Sequence, residues 1–276
     1  MTLFAKENII FERESLYHHI VVSEEAGVRY MKFGNNIVQS AVYIDDPLNL
    51  RLDYTKYLPL AILFKSDFKT LLTIGLGGGA VPRILKEYYP ETYIDAVEID
   101  PLVVETAKKY FFVGNDPDFN IHVTDGRVFL NKTDRKYDLI ILDAYNSDSI
   151  PFHLTTEEFL RLVKSKLAVD GAVSTNVWST NNKLYLSMVK TYEKVFDNVY
   201  RFRVWGKTNV VIVASDKRLS SYEIIQRAAN IQAAVNFPFD LPFCATQLDL
   251  SELEFEDVPV LTDDYAPVDY LQHTGN

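Results

Sequence analysis

Gly75-Leu76-Gly77-Gly78-Gly79 closes the apolar run Leu71-Leu72-Thr73-Ile74. Three carboxylates follow at the ends of further apolar runs: Glu98 after 92–97, Asp125 after 120–124, and Asp143 after 137–142. A glycine-rich turn between a strand and a helix lets the backbone approach a nucleotide closely, and an acid ending the next strand accepts hydrogen bonds from ribose hydroxyls. Asp125 with the neighbouring backbone N–H of Gly126 can read an adenine edge. Helix 80–89 opens directly after the turn with Pro82 in its first turn, where proline is tolerated. Its N-terminus offers N–H groups and a partial positive charge to an anion. These residues together point to a nucleotide site, with Gly75, Gly77, Gly78, Gly79, Glu98, Asp125, Gly126 and Asp143 as its cofactor-binding residues.

Such residues must sit at the carboxyl ends of successive strands of an open α/β sheet. From Lys69 onward apolar runs alternate with helical patterns, with strands expected at 70–75, 92–97, 120–124, 137–142 and 171–177. That alternation implies a parallel sheet with crossovers. The runs 199–204 and 209–214 are separated only by Trp205-Gly206-Lys207-Thr208, too short for a parallel crossover, so they form an antiparallel pair. A parallel sheet finished by an antiparallel hairpin is the Rossmann-like pattern of class I S-adenosylmethionine-dependent methyltransferases. Ser220 to Val235 reads as a closing helix, and Tyr54 to Phe64 as a helix leading into the sheet. Before it, residues 9–44 alternate and are rich in Val, Ile and Tyr, with turn signals at Glu25-Ala26-Gly27 and Gly34-Asn35-Asn36. The expected organisation is a small β-domain over 1–52 and a Rossmann-like nucleotide-binding domain over 53–276.

Composition bounds the remaining possibilities. The chain has 276 residues, one cysteine (Cys244) and a net charge of −10. No internal disulfide is possible, the N-terminus lacks a signal-peptide core, and no apolar run is long enough to span a membrane, so a cytoplasmic protein is expected. After Arg227 there is no Lys or Arg, while acids continue to Asp269. This balance repels nucleic acid. It suits either a cationic small substrate or a solvated acidic surface.

The turn Gly75-Leu76-Gly77-Gly78-Gly79-Ala80 also satisfies a dinucleotide pattern, with Glu98 on the ribose. The terminal hairpin and the pair Asp125-Gly126 and Asp143 disfavour NAD. With these motifs placed, the chain resembles the spermidine synthase (polyamine aminopropyltransferase) family over almost its whole length. Ser15-Leu16-Tyr17-His18-His19-Ile20, Ile37-Val38-Gln39, Ile74 to Arg83, Val97-Glu98-Ile99-Asp100, Asp125 to Leu130, Leu142-Asp143 and Asp170-Gly171 follow in the family's order. The resemblance implies an S-adenosylmethionine-type donor, intact or decarboxylated, lined by Gln39, Glu98, Asp125 and Asp143. Asp143 would also lie beside the reacting centre. The sulfonium is already a good leaving group, so no metal is required. An amine nucleophile must be aligned and neutral, and Asp143, Asp148, Tyr145 and His153 are the candidates to orient or deprotonate it. By analogy with the family, a homodimer is possible.

Several positions depart from the family. Its glycine-rich turn carries an Asp that holds the free amine of decarboxylated S-adenosylmethionine, and that position here is Gly78. The lost charge-assisted bond is worth roughly 1.5–3 kcal/mol, whereas the α-carboxylate of intact S-adenosylmethionine would be repelled by an Asp. A Tyr-His/Gln-Glu run becomes Arg51-Leu52-Asp53, keeping only acidity. The D-S-x-D-P-x-G-P loop becomes Asp143 to His153, with Asn146 at the second acid and Asp148 available to replace it. The P-T-Y-P segment becomes Val204 to Thr208 and brings Lys207. Asp263 and Asp264 read as a cap on the pocket or as a solvated turn. The expectation is a spermidine-synthase-like alkyltransferase that is not an ordinary spermidine synthase. A methyltransferase of other acceptor and a non-catalytic nucleotide-binding homologue are the alternatives.

Overall fold

Tyr93 to Glu98 and Tyr137 to Leu142 flank Thr70 to Ile74 in register, and this trio is the centre of the molecule. The computed structural model describes residues 7–34, 36–144, 150–178 and 183–273. Strands β1 (Asn8–Glu14), β2 (His19–Glu25), β3 (Val28–Phe33) and β4 (Ile37–Tyr43) form a four-stranded antiparallel meander. A second sheet contains β5 (Thr70–Ile74), β6 (Tyr93–Glu98), β7 (Phe119–Val123), β8 (Tyr137–Leu142), β9 (Leu167–Trp178), β10 (Asn198–Arg203) and β11 (Asn209–Ser215). Its order is β10-β11-β9-β8-β5-β6-β7. Strands β5 to β9 run parallel, while β11 pairs antiparallel with both β9 and β10. The hairpin expected from the short Trp205–Thr208 connection is therefore present, and the sheet is of the class I methyltransferase type.

Alternate residues of each central strand feed opposite faces, as a pleated strand requires. Leu71, Leu139 and Ile141 join one core with α1 (Ala80–Tyr88) and α6 (Ser221–Val235). Leu72, Ile140 and Leu142 join the other with α4 (Glu157–Lys166) and α5 (Lys183–Val195). The remaining helices are α2 (Pro101–Tyr110), α3 (Gly126–Lys132), α7 (Leu241–Thr246) and α8 (Val268–His273). The meander lays Ile20, Val22, Met31 and Phe33 onto Leu102, Val103 and Phe111 in and after α2. That contact brings β4 against the glycine-rich turn.

The helix expected over 54–64 is a correction. The segment forms two 3-10 turns, Asp53–Lys56 and Leu58–Leu63. The break falls at Tyr57, just before Leu58-Pro59. Proline lacks an N–H and disfavours the α conformation in the residue before it, so a continuous helix is interrupted there. The closing helix α6, in contrast, starts as expected. Ser220 Oγ accepts from Glu223 N at 3.2 Å, and Glu223 Oε2 accepts from Ser220 N at 2.8 Å. This reciprocal cap satisfies two backbone donors. Ser220→Ala is expected to cost about 1 kcal/mol of stability, read by denaturant unfolding.

Candidate functional site

Strand order reverses between β5 and β8, and ligands of open α/β sheets bind at such a switch point. The two strand ends meet closely here. Asp143 N donates to Ile74 O at 2.9 Å, and Gly75 N donates to Val97 O at 2.9 Å. A Cβ at Gly75 would lie 2.3 Å from Asp143 O, so only glycine lets β5 leave the sheet along this path. Gly77 and Gly79 carry the chain on into α1.

The carboxylate of Glu98 is turned onto the glycine-rich turn. Oε2 accepts from Leu76 N at 3.0 Å and Gly77 N at 3.5 Å, and Oε1 accepts from Asp100 N at 3.1 Å. Burial raises its pKa, opposed by these backbone donors. A carboxylate offers about four lone-pair sites, so one more donor can be accepted. Ser40 of β4 was not legible as a site residue, yet its Oγ accepts from Gly78 N at 2.7 Å. The N–H of Gly78 is thereby engaged within the protein. A Cβ at Gly78 would stand 2.9 Å from both Phe111 Cδ1 and Ser40 Cβ.

Asp143 projects from the end of β8. Its Oδ2 accepts from Tyr54 Oη at 3.2 Å, and its Oδ1 accepts from Asn176 Nδ2 at 3.4 Å. Asn176 Oδ1 in turn accepts from Asn209 Nδ2 at 3.0 Å. Burial pushes the Asp143 carboxyl up to about 6, against these two donors. Tyr54 and Asn176 carried no motif in the sequence; each is distant in the chain and arrives through the topology. Asp53, the acidity retained from the family's run, is not free to meet a cation. Lys56 Nζ lies 3.0 Å and Lys207 Nζ 3.5 Å from its carboxylate. Burial works against its charge, but the two lysines outweigh that and hold its carboxyl below the usual value.

Asp125 caps α3, with Oδ1 accepting from Val128 N at 2.9 Å. Gly126 packs on Ile74, where a Cβ would lie 2.4 Å from Cγ2. His153, one of four candidates to orient or deprotonate the amine, is paired with Asp125: its Nε2 is 2.8 Å from Oδ2. Asp263 is exposed yet engaged. It receives the Arg127 guanidinium at 2.7 and 2.5 Å. That side-chain hydrogen bonding raises the Arg127 pKa and lowers that of Asp263.

These groups surround one cleft of about 270 Å³, lined from the meander by Gln39 and Ser40, from the switch point by Gly75, Gly77, Gly78 and Asp143, and by Glu98, Asp125, Gly126 and His153. His18 also lines it, stacked on Phe33 at 4.1 Å, and burial lowers its pKa. Tyr145 and Asp148 lie outside the described residues. Among the described residues no group of three His, Cys, Asp or Glu is placed to hold a metal, and no helix is long and apolar enough to cross a membrane.

Residues 56–208 match the spermine/spermidine synthase domain. A polyamine aminopropyltransferase of Vibrio vulnificus is 35% identical over 97% of this chain and 92% of its own length. The chain belongs to the spermine/spermidine synthase family. As a member of that family it is a transferase. Solved structures share the fold. A probable spermidine synthase from Corynebacterium glutamicum superposes with a TM-score of 0.70 at 18% identity, covering 91% of this chain and all of that one (100%). Human methyltransferase-like protein 13, solved in complex with SAH, gives a TM-score of 0.63 at 24% identity over 68% of this chain and 94% of that one. The spermine/spermidine synthase fold thus extends through the meander as well as the larger sheet.

Proposed function

We propose that this spermine/spermidine synthase family member transfers an alkyl group from an S-adenosylmethionine-type sulfonium nucleoside to a small amine, and that intact S-adenosylmethionine is the donor. Bound, the donor supplies an electrophilic carbon on a sulfonium leaving group. The cleft fits such a ligand, because it combines an enclosed volume with carboxylates whose lone pairs are only partly used. Glu98 would accept from the ribose and Asp125 with Gly126 N–H would read the base. Gln39 and the turn Gly75–Gly79 would flank the sulfonium side. Asp143, braced by Tyr54 and Asn176, would hold the amine and take its proton, assisted by Tyr145 and Asp148, which follow it in the sequence.

Position 78 carries the choice of donor. It lacks the carboxylate that would hold a free amine, and Phe111 and Ser40 occupy the space such a side chain would need. Aminopropyl transfer from decarboxylated S-adenosylmethionine is the second reading, favoured by the name of the Vibrio vulnificus relative. Calorimetric titration separates the two. Intact S-adenosylmethionine is expected to bind more tightly than its decarboxylated form. Gly78→Asp is expected to weaken it by about tenfold or more, because the new carboxylate repels the α-carboxylate and its Cβ crowds Phe111 and Ser40. A wild-type preference for the decarboxylated donor would sink the donor assignment, with mass analysis of the product as the independent check.

A further inference from the structure

His153 and Asp125 both line the cleft, and their side chains are 34% and 24% exposed. Asp125 needs only Oδ1 to cap α3, at 2.9 Å from Val128 N. The imidazole holds the other oxygen at 2.8 Å. The loop bearing it is fixed from three sides. The His153 carbonyl accepts from Arg127 Nη1 at 3.3 Å, and Arg127 is forked onto Asp263. Asp263 also accepts from Thr156 Oγ1 at 2.7 Å and donates its N–H to Glu158 Oε2 at 2.9 Å. A helix, the start of a second helix and the C-terminal turn therefore converge to keep one imidazole on one carboxylate.

We infer, on the donor reading above, that His153 is a positioning residue which sets the affinity for the donor by holding the Asp125 carboxylate. A base presenting an exocyclic amine would take a remaining lone pair of that carboxylate, which offers about four and gives one each to Val128 N and the imidazole. With the α3 cap as its one protein partner the carboxylate could turn about its Cβ–Cγ bond. The imidazole on Oδ2 fixes the plane in which the remaining lone pairs point.

The test is calorimetric titration of S-adenosylhomocysteine with wild type, His153→Ala and His153→Gln. Thermal unfolding confirms that all three are folded. His153→Ala is expected to raise the Kd by about fivefold, and His153→Gln, which keeps a donor toward Asp125, to stay within about twofold of wild type. A wild-type Kd in His153→Ala, or an equal loss in both variants, would overturn the role of His153 and leave the donor reading intact. A wild type that binds no S-adenosylhomocysteine would overturn both.

Discussion

Asp143→Asn is expected to lower turnover by about 10²- to 10⁴-fold, the range for loss of a positioned general acid–base group, while donor dissociation changes by less than about threefold. The asymmetry follows from where the side chain stands. Its oxygens face Tyr54 and Asn176, and the backbone donors of the glycine-rich turn go to Glu98 and Ser40. Asparagine keeps the shape and one acceptor but cannot take a proton. Burial pushes the wild-type carboxyl to about 6, so the base form is lost below that pH. The rate should therefore rise from pH 5 to 7 with a midpoint near 6 in the wild type, and this limb should vanish in the variant. Stability runs the other way. A carboxyl whose folded pKa lies above its ordinary value of 3.8 favours the native state when protonated, so stability falls as pH rises from 3.8 towards about 6. The variant escapes that loss and should be no less thermostable than wild type at pH 7. Full turnover in Asp143→Asn would remove this residue from the mechanism. A large drop in melting temperature would mean that the lost rate reports unfolding.

Much of this site was legible because its parts are local. An apolar run ending in Gly75-Leu76-Gly77 states both a strand and its exit, and Glu98, Asp125 and Asp143 each follow a run of their own. The parallel sheet and its closing hairpin came from the spacing of runs, the hairpin from the four residues between Val204 and Asn209. What was not legible depends on residues far apart in the chain. Ser40 reaches Gly78, Asn176 reaches Asp143 and Arg127 reaches Asp263 only once the sheet is assembled. Periodicity describes the face of one element and is silent on which foreign side chain meets it. His153 shows the cost of that silence. It stood as one of four candidates to orient or deprotonate the amine, and only the folded chain shows its imidazole on Asp125. Gly78 shows the converse: its identity was visible at once, but Phe111 and Ser40, which close off its side-chain space, were not.

Gly75→Ala should cost about 4 kcal/mol of stability, with activity falling below the level of detection for the folded remainder. Two costs combine. Gly75 has φ +91°, a conformation that L residues rarely adopt, worth about 1–2 kcal/mol. The added Cβ would also lie 2.3 Å from Asp143 O, 2.6 Å from Asp143 C and 2.9 Å from Ala144 Cα. All three are backbone atoms, so no rotamer change relieves the overlap. The ends of β5 and β8 must part, which stretches the bond from Asp143 N to Ile74 O and displaces the carboxylate that the mechanism requires. Gly27→Ala separates the two costs. Gly27 has φ +78° with nothing within 4 Å of a built Cβ, so that variant pays the conformational cost alone. Denaturant unfolding of both should show Gly75→Ala less stable than Gly27→Ala by about 2 kcal/mol or more, the part owed to the overlap. Equal losses would mean that the strand ends tolerate separation, and that the close approach at the switch point does not govern where Asp143 stands.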